Sequence, residues 1–143
     1  MNILLAIHHT PSPETIVDHV ASLPWPAGCV ARVVTVVEPA ADGAQSATDG
    51  AQAGTHAAEL LVEAAAARLR DAGLEASGAV LEGSPKTDIV EYAGYWRASL
   101  VLAGSHARHE PARRLFLGSI AQSIVRNAPC SVEIVRPPLS PRG

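Results

Sequence analysis

The chain has 143 residues, of which 48% are hydrophobic and 3% aromatic, and its formal net charge is −3. That length suits one domain, and the core must be aliphatic and alanine-rich. There is no basic excess of the kind that accompanies general nucleic-acid binding, and no run approaches the ~18 apolar residues of a membrane helix. Positive charge is local, with five of the 11 Lys and Arg lying between Arg97 and Arg126. The chain opens on a strand pattern without a basic leader, so a cytoplasmic location without membrane contact is expected.

Asn2 to Ile7 is a continuous apolar run, the pattern of a strand covered on both faces in a parallel sheet. His8-His9-Thr10-Pro11 ends it. Ser12 is placed to cap a helix with Pro13 at its first position, where a missing N–H costs nothing. Ile16, Val17, Val20 and Leu23 form that helix's stripe, and Pro24 and Pro26 stop it. Val30 to Val37 is a β-branched second strand. Residues 38–54 are mostly small or polar and lack periodicity, which predicts a flexible surface loop, with a lid over the neighbouring cleft as the alternative.

Thr55 is expected to cap the next helix, in which Leu60, Leu61, Ala64, Ala65, Arg68 and Leu69 keep helical spacing up to Gly73. Leu74 to Leu81 is a third strand, weakened by Gly78. Glu82-Gly83-Ser84-Pro85 repeats the cap-then-proline start, and Ile89, Val90, Ala93 and Trp96 continue as a stripe. Ser99 to Ala103 is a fourth strand, and after Gly104 comes a basic loop carrying Arg108, Arg113 and Arg114. Gly118-Ser119 opens the last helix, with Ile120, Ile124 and Val125 inward, and Ala128-Pro129 closes it. Ser131 to Val135 is the last strand, which Pro137-Pro138 forbid to continue. This alternation predicts an α/β fold over 1–143, a parallel sheet with four helices on both faces.

The order and spacing of four stretches resemble the universal stress protein family over almost the whole chain. They are the opening strand with its Ser-Pro loop, Glu82-Gly83-Ser84-Pro85, Leu100 to Ser105 with Gly118-Ser119, and Ala128-Pro129-Cys130 before a Val/Ile strand. The resemblance implies a Rossmann-like five-stranded sheet in the order 3-2-1-4-5. It also implies a homodimer through Ser131 to Val135, and an apolar edge strand does need a partner or a cover. Two cysteines, Cys29 and Cys130, stand at the starts of strands. The implied strand order puts them three spacings apart, roughly 14 Å at ~4.8 Å each, so buried reduced thiols are expected.

The nucleotide-binding branch of that family looks like Gly-x2-Gly-x9-Gly-Ser/Thr. Gly104 and Gly118-Ser119 match the ends. Ala107 stands where the second glycine belongs, and one residue too many separates Gly104 from Gly118. A Cβ at Ala107 penalises positive φ and blocks close approach to phosphate. The family's aspartate after the first strand is here His8, or His9 if the alignment slips by one. The implied site is therefore Gly104, His106, Ala107, Gly118, Ser119, Ile120 and His8, holding a nucleotide or an anion. ATP or AMP would be its cofactor, and the departures count against ATP in the family's usual manner. The plain reading of Arg108, Arg113 and Arg114 is solvated surface charge.

His8, His9, His106 and His109 are four of the six histidines, and the implied order brings them to one cleft. Imidazoles bind Zn²⁺, and a tetrahedral site needs three or four ligands at ~2.1 Å. A metal- or pH-responsive site is the sharp reading; exposed histidines on polar loops is the bland one, and it is preferred. His19 and His56 read as surface. No G-x-S-x-G elbow, Walker pattern or catalytic carboxylate pair is present, and a helix cap explains Ser119. The expectation is a non-catalytic stress-response regulator or protective binding protein with a degenerate nucleotide loop and a regulatory protein partner. An ATP/AMP-binding signalling module is the alternative.

Overall fold

The computed structural model describes residues 1–7, 13–39, 47–105 and 118–136, with 47–53 as backbone alone. The elements are β1 (Asn2–Ala6), α1 (Pro13–Ser22), β2 (Val30–Val37), α2 (Ala47–Asp71), β3 (Glu75–Glu82), α3 (Pro85–Tyr95), β4 (Leu100–Gly104), α4 (Ser119–Asn127) and β5 (Ser131–Val135). The sheet order is β3-β2-β1-β4-β5, and every pairing is parallel. Each strand lies within one residue of its sequence-derived bounds, because runs of Val, Ile, Leu and Ala bounded by Gly, Pro or polar residues leave little choice.

Each strand feeds two apolar layers. Ile3, Leu5, Ile7, Val33 and Leu102 pack with Ile16, Val17 and Val20 of α1 and with Val62, Ala65, Ala66 and Leu69 of α2. Leu4, Ala6, Val34, Val36, Val101 and Ala103 pack with Ile89 and Ala93 of α3 and with Ile124 of α4. Neighbours in the chain enter opposite layers, which is why β1 reads as unbroken apolar sequence rather than as an alternation. Burying a side chain the size of Ile or Leu contributes about 1.5–3 kcal/mol, so these layers carry most of the fold's stability.

Two helices differ from their predicted stripes. α2 begins at Ala47, eight residues before Thr55, so the part of the expected 38–54 loop from Ala47 onward is helical and Thr55 lies inside the helix. Alanine's helix propensity allows this extension without a large apolar side chain. Residues 40–46 of that segment lie outside the described residues. The inward face of α2 is Val62, Ala65, Ala66 and Leu69, while Leu60 is 59% exposed and Ala64 and Arg68 are also exposed. In a run of consecutive apolar residues, helical spacing fits more than one stripe, and the fit to the sheet chose. In α4, Ala121 and Ile124 are buried and Val125 is 48% exposed, because α4 reaches the core through one narrow face.

Two glycines are explained by their surroundings. A Cβ on Gly78 would stand 2.7 Å from Val62 Cγ2, so the glycine lets α2 sit directly on β3. Gly83 has φ +147, and a Cβ there would strike the Asp88 carboxylate. The turn into α3 therefore demands glycine in Glu82-Gly83-Ser84-Pro85.

The amino-terminal end of the sheet is tied by polar contacts. Arg32 Nε donates to Ser77 Oγ at 2.7 Å and Nη1 to Tyr92 Oη at 2.6 Å. The guanidinium lies 5.0 Å from the centroid of the Trp96 ring, and Asn2 Nδ2 donates to Trp96 O at 3.0 Å. These contacts join β2, β3 and α3, and they satisfy the charge of a half-buried arginine. Cys29 and Cys130 are both free thiols, and burial pushes the Cys130 thiol up from its ordinary value.

Candidate functional site

In an open α/β sheet, ligands bind beyond the carboxyl ends of the strands, where the order reverses direction. Here that point lies between β1 and β4, since β2 continues the sheet on one side of them and β5 on the other. β1 is held by Ile7 N–H, which donates to Val34 O at 3.0 Å, and β4 runs out at Gly104.

Ser105 organises the junction between β4 and α4. It is 7% exposed. Its N–H donates to Val135 O at 3.1 Å, and its carbonyl accepts from Gly118 N–H at 3.0 Å. Gly118 is thus bonded directly to Ser105, and α4 starts beside the end of β4. Sequence reasoning missed this role. The signal is slight: a small polar residue directly after the strand's last glycine.

Gly118 is the N-cap of α4, with φ −62 and ψ 161, and Ser119 is its first helical residue. Ser119 is therefore not the cap that its sequence position suggests. Extended φ and ψ at Gly118 do not require glycine, and Gly104 is not among the glycines with positive φ. The N-terminus of α4 has no side-chain cap hydrogen bond and no acidic residue in its first turn. The N–H groups of Ser119, Ile120 and Ala121 have no acceptor within the helix, and nothing in the first turn offsets the positive end of its dipole. Gly104, Gly118 and Ile120 are half-buried, and Ser119 is exposed, so the helix end is reachable. An anion's oxygens fit such a donor set.

The structure thus brings Gly104, Gly118, Ser119 and Ile120 together at the strand ends. His8, His9, His106, Ala107 and His109 lie outside the described residues, as do Arg108, Arg113 and Arg114. Among the described residues no group of three or more His, Cys, Asp or Glu could hold a metal ion. Also among them, no helix is long and apolar enough to cross a membrane. His19 is more than surface: Nε2 lies 2.7 Å from Glu133 Oε2, joining α1 to β5.

Fold and strand order together define a Rossmann-like α/β domain. The model of the universal stress protein family matches residues 1–136, and the chain belongs to that family. Universal stress protein MJ0531 of Methanocaldococcus jannaschii is 35% identical over 66 residues, a match covering 46% of this chain and 38% of that protein. Among solved structures, protein MJ0577 superposes with a TM-score of 0.79 at 19% identity, covering 97% of each chain. The universal stress protein of Archaeoglobus fulgidus in complex with dAMP superposes at 0.68 with 20% identity, covering 94% of this chain and 97% of that one.

Proposed function

We propose that this protein is a non-catalytic, cytoplasmic stress-response regulator whose cleft takes the phosphate of a nucleoside monophosphate. The observation that carries the reading is the uncapped N-terminus of α4, held at the end of β4 by the Gly118 to Ser105 hydrogen bond. Three N–H groups without an acceptor inside the helix and a helix dipole supply one phosphate's worth of recognition. The middle of the loop, with Ala107 in place of glycine and one added residue, is where a longer phosphate chain would need close backbone approach. A solved structure of the same fold carries dAMP, which supports a monophosphate.

Calorimetry with AMP, ADP and ATP tests the reading, with AMP expected to bind at least as tightly as ATP. Ser119→Pro removes one donor while suiting the first helical position, and the extended Gly118 accepts a following proline. The variant should lose roughly tenfold in AMP affinity with an unchanged Tm. Absence of heat with all three nucleotides, or an unaffected Ser119→Pro, would overturn the reading.

The same reading includes a homodimer through β5. The Ser105 N–H to Val135 O bond turns the backbone of Val135 toward β4, so by alternation Val132 and Ile134 present theirs to the open side. A second copy about a twofold axis can pair with them.

A further inference from the structure

The other edge of the sheet is built differently. Among the described residues, β3 pairs only with β2. Gly83 N–H donates to Val37 O at 3.0 Å, which turns the odd-numbered residues of β3 toward β2 and the even-numbered ones outward. Of the outward carbonyls, that of Ala76 accepts from Arg70 Nη1 at 3.0 Å. The N–H and C=O groups of Gly78 and Val80 face the open side, with no proline or lysine along the strand to blunt them.

Beside this edge lies a groove of about 670 Å³ between β3 and the middle of α2. Leu60, Val62 and Val80 line it with apolar surface, and Glu59, Glu63 and Glu82 line it with carboxylates. Leu60 is 59% exposed there. Glu63 is ion-paired with Arg70, while Glu59 and Glu82 have no partner among the described residues.

We infer that the β3 edge and this groove form a docking site for an extended basic segment of a partner protein, which adds as a sixth strand. Its backbone would pair with Gly78 and Val80, giving affinity that does not depend on side chains. Alternate side chains would enter the groove. A lysine or arginine fits there twice over, its aliphatic stem on Leu60 and Val80 and its charged head at Glu59 or Glu82. Charge selects this occupant over a second copy of the chain. A twofold pairing of β3 with itself would bring Glu59 and Glu82 of both copies to one face, and like charges so placed repel. The inference does not rest on nucleotide binding.

The test uses the intact protein, isotope-labelled for NMR, and a panel of blocked hexapeptides alternating Lys with Val, Ile or Leu. Glu-for-Lys counterparts and versions N-methylated at alternate residues serve as controls. Basic peptides should move the amide signals of Gly78, Val80 and Leu60 and slow exchange at Gly78 and Val80. N-methylated and acidic peptides should not. Val80→Pro removes an outward N–H together with one apolar side chain of the groove and should abolish binding with the fold retained. The double change Glu59→Lys with Glu82→Lys should weaken the basic peptides by roughly tenfold or more. The inference is overturned by any of three results: no member of the panel binding tighter than about 1 mM, N-methylated peptides binding as well as their parents, or shifts at β3 that depend on protein concentration alone.

Discussion

The two edges of the sheet share a topology and differ in length, cover and charge. β5 spans Ser131–Val135, and its side chains are already committed: Val132 and Ile134 join the layer under α3 and α4, and Val135 joins the other. Its acidic residue, Glu133, is held by His19 of α1. β3 spans Glu75–Glu82 and is acidic at both ends, and the groove beside it adds Glu59, which has no partner among the described residues. An edge whose acid is locally matched tolerates its own copy, whereas an edge with unmatched acids resists it and favours a basic partner. On the two proposals above, one sheet separates self-association from partner binding.

The contrast can be broken most severely from within. Gly78→Val would drive α2 off β3 through Val62 and should cost about 2–3 kcal/mol in urea unfolding. Adding Val62→Ala should restore part of that loss, since the two sites share one contact. A destabilisation that Val62→Ala leaves untouched would mean that strand propensity, not close packing, makes glycine necessary.

Gly83→Ala meets both a positive φ and the Asp88 carboxylate and should cost about 1–3 kcal/mol. Thermal melts of Gly83→Ala and Asp88→Ala, alone and combined, separate the two causes. A full rescue by Asp88→Ala would assign the cost to the clash alone.

Proline substitutions on each edge sharpen the comparison directly. Ile134→Pro removes an outward N–H of β5 and should convert the proposed dimer to monomer in light scattering. Val80→Pro on β3 should leave the oligomeric state alone. Equal effects of the two substitutions would dissolve the distinction between the edges.

The smallest effects are expected at the polar ties. Arg70→Met uncaps the Ala76 carbonyl and releases Glu63, for about 0.5–1 kcal/mol. Glu133→Gln, at a half-exposed pair with His19, should change stability by less than about 1 kcal/mol. Both are read from denaturant midpoints at constant m.

Most of the strand layout was legible because an apolar run with Gly or Pro at its ends permits few other structures. The helix faces were less so. Leu60, Leu61 and Val62 are all apolar, and periodicity alone set Leu60 inward; only the Gly78 notch shows that Val62 is the residue that enters. The start of α2 was misplaced for a related reason, since alanine-rich sequence is a permissible helix without looking like an amphipathic one. At the site, glycine spacing pointed to Gly104 and Gly118, yet neither uses positive φ. Their placement comes from the pair of backbone bonds through Ser105, and backbone bonds leave no mark on residue identity.

By itself, then, the sequence determined the alternation of strands and helices, the parallel sheet and the family. Those come from local pattern: period, punctuation by Gly and Pro, and the order of short motifs. Tertiary structure decided which face of α2 is core, why Gly78 must lack a side chain, how Ser105 closes the loop between β4 and α4, and that His19 meets Glu133. Each is a contact between elements distant in the chain, set by packing and strand register and recorded in no single stretch of sequence.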